Sequence, residues 1–110
     1  MADHLLAIDD IKEDFTDVLN WAIEFKRLWK TGDEIASNFM PLDGMAVGSI
    51  YEKPSTRTRV SFEVGINRLG GYPLTLLKND IQLGKSETVS DTAQVLSRFL
   101  GAITYRCFSH

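Results

Sequence analysis

Met45-Ala46-Val47-Gly48-Ser49-Ile50-Tyr51 runs through Glu52-Lys53-Pro54 into Ser55-Thr56-Arg57-Thr58-Arg59-Val60-Ser61-Phe62. The opening run is short and apolar, carries β-branched and aromatic residues, and is bounded by Gly44 and Pro54, which predicts a buried strand over 45–51. Beyond the proline, Phe62, Ile66 and Leu69 recur at i, i+4 and i+7 with Val60 and Val64 beside them, so a helix is predicted over 56–69 with one apolar face free to pack on a sheet. A buried strand that feeds such a helix is the repeating unit of an α/β fold.

The junction between the two is unusual in its chemistry. Three hydroxyls and two guanidinium groups fall within Ser55–Arg59. Ser55 or Thr56 lies near the N-cap, and ordinary capping accounts for hydroxyls at that place. The arginines need a further reason, because a cation near a helix N-terminus is unfavourable by about 0.3–1 kcal/mol. An anion seated between them and the unpaired N–H groups of the first turn supplies that reason, and internal carboxylate partners are the alternative. Arg57 carries a planar fork of donors suited to two oxygens of a phosphate at once, and Ser55, Thr56 and Thr58 add neutral donors.

Working outward, the remaining chain repeats the pattern. Asp9 or Asp10 can cap a first helix over 11–30, whose stripe of Ile11, Phe15, Val18, Leu19, Ala22, Phe25, Leu28 and Trp29 is explained by core packing. Gly32 is a plausible terminator, and a short helical turn fits 33–38. Gly70-Gly71 ends the second helix, a second strand follows over 72–77, a third helix over 89–100 presents Val89, Ala93, Leu96 and Leu100, and a third strand covers 102–107. Strands separated by single helices imply parallel, right-handed crossovers and a parallel sheet flanked by helices. Ligands of such sheets collect beyond the carboxyl ends of the strands, where both Ser55 and Arg106 stand. The polar segment 78–87 reads as a surface loop.

Composition narrows the partner. The net charge of −3 opposes general binding to nucleic acid or membrane surfaces, and the basic residues Lys53, Arg57, Arg59, Lys85 and Arg106 are local to the junction and the strand ends. With a single cysteine, Cys107, an internal disulfide is impossible, and its place at the end of an apolar strand reads as structural. His4 and His110 stand in no metal-ligand pattern, so no metal site is expected. No signal pattern or long apolar span opens the chain, and the expected address is cytoplasmic.

The segment from Glu52 to Glu63, with almost every position matched, resembles the carbamoyl-phosphate signature of the aspartate and ornithine carbamoyltransferases. The resemblance continues through Leu69-Gly70-Gly71, Asn79-Asp80-Ile81-Gln82-Leu83-Gly84, Glu87-Thr88, Asp91-Thr92-Ala93 and Val95-Leu96-Ser97-Arg98, and upstream in His4-Leu5-Leu6 and Ile8-Asp9-Asp10. The Asn-Asp-Ile-Gln-Leu-Gly run and Ile103-Thr104-Tyr105-Arg106 are more similar to the ornithine branch than to the aspartate branch.

What the resemblance implies is acyl transfer without cofactor, metal or covalent nucleophile, from carbamoyl phosphate to the side-chain amine of an amino-acid acceptor such as ornithine, in arginine biosynthesis. It implies that Ser55, Thr56, Arg57 and Thr58 bind the phosphate, that Thr58 and Arg106 polarise the carbonyl oxygen, and that Arg57 also stabilises the leaving oxygen. It implies further that Gln82 reaches a neighbouring subunit's site in a trimer or multiple of trimers, and that Glu87 pairs with Arg57 as a structural partner. Members of the family are about three times longer, in keeping with two ordinary domains. Residues 1–110 are therefore expected to be a partial carbamoyl-phosphate domain, incomplete after its third strand, with the amino-acid-binding domain absent from the chain. Alone, such a piece is expected to bind weakly and not to turn over. The alternatives are aspartate or another amine as acceptor, or a non-catalytic anion-binding or oligomerisation module.

Overall fold

The computed structural model describes residues 4–52, 55–77 and 89–106. The chain divides into two compact units, 1–38 and 39–110.

The first unit holds a 3-10 turn, Ile8–Ile11, followed by α1, Phe15–Thr31, and α2, Glu34–Asn38. The predicted helix thus starts four residues late and its expected cap acts elsewhere: the Asp10 carboxylate accepts the N–H groups of Leu6 at 2.7 Å and Ala7 at 3.0 Å. Those two amides, Leu6 first, hold the Asp10 carboxyl below the usual carboxylate range. Asp10 lies inside the 3-10 turn with its carboxylate on the preceding backbone, and Asp14, next to Phe15, stands at the N-cap of α1. Gly32 ends α1 at φ 71°, with its N–H on the Trp29 carbonyl (3.2 Å) and the Asp33 N–H on that of Leu28 (3.0 Å). This is the paired ending of a Schellman motif. The Asp33 carboxylate then accepts the Ile35 N–H at 2.8 Å and opens α2 within the predicted span.

The expectation that core packing explains the whole α1 stripe is corrected here. Phe25, Leu28 and Trp29 are half-buried, and the rings of Phe25 and Trp29 meet edge to face at 6.3 Å, but Phe15, Val18 and Leu19 are exposed and no residue of α1 is buried. At 1.5 Å per residue α1 is about 25 Å long, and the five residues of α2 span about a third of that. Within this unit the stripe is longer than the surface offered to it.

The second unit contains β1 (Ala46–Tyr51), α3 (Thr56–Arg68), β2 (Tyr72–Leu77), α4 (Val89–Ser97) and β3 (Ala102–Arg106). Its three strands are parallel in the order β2-β1-β3, with Ala46 opposite Tyr72 on one side and Tyr51 opposite Arg106 on the other. β1 is central, which is why its run is apolar without alternation: Val47, Gly48, Ser49, Ile50 and Tyr51 are all buried. A side chain at Gly48 would meet Leu100, whose Cδ1 lies 2.5 Å from the place a Cβ would occupy. α3 ends as predicted at the double glycine, where Gly70 takes φ 90° and the Gly71 N–H returns to the Ile66 carbonyl at 2.9 Å.

α4 is shorter than predicted and rotated. Thr92 is 5% exposed, Leu96 is half-buried and Leu100, just past the helix, is 9% exposed, whereas Ala93, expected on the buried face, is exposed. Positions 92, 96 and 100 lie in one i, i+4 row, so the two leucines set the rotation and carry Thr92 inward with its methyl group. Gly101 closes the connection by donating its N–H to the Ala46 carbonyl at 2.8 Å. The side chain of Val89 and the whole of Cys107 lie outside the described residues.

Candidate functional site

The connectivity places the chemistry. From central β1 the chain crosses to β2 on one side, and from β2 it crosses back to β3 on the other, so the carboxyl ends of β1 and β3 flank the point where strand order reverses. In open α/β sheets that crevice is where ligands sit. Ser55 and α3 follow β1 into it, and Arg106 is the last residue of β3.

Glu52 continues the β1–β3 ladder one step past Tyr51, donating its N–H to the Arg106 carbonyl at 2.9 Å. Ser55 has extended backbone (φ −156°, ψ 91°) and stands at the N-cap of α3, and the first helical bond runs from the Arg59 N–H to the Ser55 carbonyl at 3.0 Å. Its hydroxyl, however, makes no capping bond. It donates instead to Thr58 Oγ1 at 2.9 Å, and Arg106 Nη1 donates to the same oxygen at 3.3 Å from 48 positions downstream. A hydroxyl has two lone pairs and one proton. With both lone pairs of Thr58 occupied, its O–H is the group left to donate outward. Because Ser55 does not cap, the first-turn N–H groups of α3 keep their affinity for an anion.

Thr56 and Arg57 are exposed on that first turn, and among the described residues Arg57 makes no ion pair. Arg59 differs: its Nε lies 3.1 Å from Glu63 Oε2 one turn along the helix. The internal-carboxylate alternative therefore holds for Arg59, and no carboxylate among the described residues takes that part for Arg57. Gln82, Glu87, Lys53 and Lys85 lie outside the described residues. Of the predicted site residues, Ser55, Thr58 and Arg106 are joined directly, with Thr56 and Arg57 on the same helix end.

Two neighbours carried no predicted role. Tyr105 donates its hydroxyl to Glu52 Oε1 at 2.8 Å, 53 positions apart in the chain. Nothing in the local sequence marks that pair, because it exists only once β1 and β3 are neighbours.

Residues 3–110 match the family described as aspartate/ornithine carbamoyltransferase, carbamoyl-P binding domain. The chain belongs to this family. Among relatives, the ornithine carbamoyltransferase of Anoxybacillus flavithermus is 45% identical over 98% of this chain and 33% of its own length. The chloroplastic ornithine carbamoyltransferase of Pisum sativum is 49% identical over 94% of this chain and 27% of its own. Among solved structures, a mitochondrial ornithine carbamoyltransferase from Coccidioides immitis superposes with a TM-score of 0.87 at 36% identity, covering 99% of this chain and 35% of that one. The catalytic subunit of M. jannaschii aspartate transcarbamoylase gives 0.78 at 31% identity, covering 99% of this chain and 35% of that one. The chain thus spans about a third of the length of the curated relatives it matches. Its α/β fold, with a parallel sheet incomplete beside the family's full-length structures, is the one the carbamoyltransferase signature implied. Among the described residues no helix is long and apolar enough to cross a membrane.

Proposed function

We propose that the full-length protein transfers the carbamoyl group of carbamoyl phosphate to the side-chain amine of ornithine, releasing citrulline and phosphate. The observation that carries this reading is the convergence of Ser55, Thr58 and Arg106 at the carboxyl ends of β1 and β3, beside the uncapped start of α3. The acceptor follows relatives named ornithine carbamoyltransferase at 45–49% identity, which favours ornithine over the aspartate of the more distant structural neighbour.

In the reaction the amine nitrogen attacks the carbamoyl carbon, the carbonyl π pair moves onto oxygen, and the carbon–oxygen bond to phosphate then breaks as that pair returns. The amine proton leaves with phosphate or solvent. Charge therefore builds first on the carbonyl oxygen and then on the departing phosphate, and donors already aimed at both places lower the barrier. Thr58 O–H and Arg106 serve the carbonyl oxygen. The first-turn N–H groups, Ser55, Thr56 and the Arg57 fork hold the phosphate, and Arg57 also meets the leaving oxygen. Gln82 from a neighbouring subunit completes the site in a trimer, and Glu87 holds Arg57 in place.

In this reading residues 1–110 are part of a carbamoyl-phosphate domain, and the acceptor is held by a second domain in the rest of the protein. A biosynthetic direction and a cytoplasmic address complete it and rest on the sequence reading alone; relatives include two named catabolic, from Thermoplasma volcanium and Thermoplasma acidophilum, and the chloroplastic pea enzyme. The test is Arg57→Lys in the full-length protein, with carbamoyl phosphate varied. Keeping the charge while removing the fork is expected to lower kcat more than it raises KM. An unchanged kcat would remove Arg57 from the machinery, and turnover of aspartate but not ornithine would reassign the acceptor.

A further inference from the structure

The Ser55 hydroxyl stands where a helix cap is made and does not make one. At the N-cap of α3 its oxygen would ordinarily accept a backbone N–H from the first turn, that of Arg57 or of Thr58. It donates instead to the Thr58 side chain, Oγ to Oγ1 at 2.9 Å, in a part-buried bond. A hydroxyl carries one proton, so a serine that gives its proton to Thr58 has none left for a phosphate oxygen. Ser55 then meets the phosphate through its backbone, and its hydroxyl belongs to the carbonyl end of the site.

Thr58 Oγ1 also accepts Arg106 Nη1 at 3.3 Å, and among the described residues these two donors are its partners. They fill two of the three directions open around the oxygen, and the Thr58 proton takes the third. With either donor removed, the O–H has two directions instead of one. The Arg106 bond is the longer and the more exposed, so Ser55 is the firmer of the two locks. Charge adds a second effect. As Thr58 donates toward an oxygen that is becoming negative, its own oxygen becomes a stronger acceptor, and the Ser55 bond strengthens with it. An interaction that grows as charge develops acts on the rate more than on the hold of the substrate.

We propose that Ser55 is a positioning residue: its hydroxyl locks and polarises the Thr58 O–H toward the carbonyl oxygen of carbamoyl phosphate, with Arg106 closing the second lone pair. The inference rests on the proposed function for the reaction. It deepens that reading by giving the Ser55 side chain a task performed through Thr58.

The experiment uses the full-length protein and follows phosphate release at saturating carbamoyl phosphate and ornithine for wild type, Ser55→Ala, Thr58→Val, the double variant and Ser55→Thr. The Kd of carbamoyl phosphate is measured alongside by calorimetry without acceptor. One net hydrogen bond corresponds to about fivefold in rate, so Ser55→Ala is expected to lower kcat about fivefold and to leave the Kd within about twofold of wild type. In the Thr58→Val background no hydroxyl remains to be aimed, and the same change is expected to alter kcat by less than about twofold. Ser55→Thr keeps the donor and suits the extended backbone at φ −156°, so its kcat is expected within about twofold of wild type. A role in capping or packing would give the same loss in both backgrounds.

Equal losses in the two backgrounds overturn the proposal, and so does a Ser55→Thr enzyme as impaired as the alanine variant. A raised Kd with unchanged kcat would give the Ser55 proton to the phosphate and likewise overturn it. Because the Ser55 side chain makes no capping bond, Ser55→Ala is expected to keep the wild-type circular dichroism spectrum; its loss would make the hydroxyl structural and end the inference. Phosphate release reports any acceptor. Wild-type protein that turns over aspartate and not ornithine would refute the acceptor assignment, while the five kcat values taken with aspartate still decide the role of Ser55.

Discussion

Thr58→Val in the full-length protein isolates the hydroxyl at the centre of the site. Valine keeps the β-branched shape in the first turn of α3 and removes one oxygen, which accepts from Ser55 at 2.9 Å and from Arg106 at 3.3 Å. In the free protein the part-buried Ser55 bond contributes about 1 kcal/mol net, and the longer, exposed Arg106 bond less. For a full-length chain that is a fall in unfolding temperature of roughly 2–4 °C. The catalytic loss is larger. The outward O–H of Thr58 is a donor to an oxygen that gains charge, worth about 1.5–3 kcal/mol, and Arg106 loses the acceptor that aims it. A total of about 2–3 kcal/mol corresponds to a fall of about 30- to 160-fold in kcat/KM for carbamoyl phosphate. Steady-state citrulline formation at saturating ornithine measures it, with thermal unfolding alongside. Thr58→Ser, which restores the oxygen and omits only the methyl, is expected to recover all but a few-fold of the loss. A Thr58→Val enzyme within threefold of wild type would refute the reasoning, as would a Thr58→Ser enzyme as impaired as the valine variant.

Three further outcomes follow from other parts of the molecule. Gly70→Ala is expected to destabilise by about 2–3 kcal/mol in denaturant unfolding, because Gly70 holds φ 90° and an added Cβ would lie 2.8 Å from the Met40 Cβ; an unchanged midpoint would contradict it. The Asp10 carboxyl is held down by the Leu6 and Ala7 amides, so their bonds stabilise the 3-10 turn at pH above the ordinary carboxylate value and are lost as pH falls through the lowered one; the two amide resonances should move together in an acid titration, and Asp10→Asn should flatten both curves. Mixing full-length variants inactivated at Arg57 and at Gln82 should restore part of the activity once subunits exchange, as a mixed interface joins an intact cradle to an intact loop; exchange confirmed by mass without recovery would place Gln82 in its own subunit's site.

Much of this was legible in the chain itself, and the reasons are local. Strand β2 runs over the predicted 72–77, bounded by Gly70-Gly71 before it, and Gly32 and Gly70 end their helices because only glycine takes those positive φ values without strain. β1 could be recognised as buried because a strand covered on both faces loses its alternation. The hydroxyl and guanidinium cluster of Ser55–Arg59 is contiguous, so its chemistry needed no tertiary information. Where the reading slipped, a competing contact decided. Asp10 turned back to Leu6 and Ala7 instead of capping α1, and the α4 seam followed Leu96 and Leu100 and buried Thr92 in place of Ala93.

The strand order β2-β1-β3 was not in any periodicity, since hydrophobic pattern specifies which face of an element is buried and not which strand lies beside which. That order alone brings the end of β3 against the end of β1. It gives Thr58 its second donor from Arg106 and sets Tyr105 upon Glu52. The sequence by itself determined the donors and the helix that presents them, because those are properties of neighbouring residues. The tertiary structure decided which oxygen each donor meets, because hydrogen bonds act over about 3 Å and only the packing of the sheet brings residues some fifty positions apart within that reach.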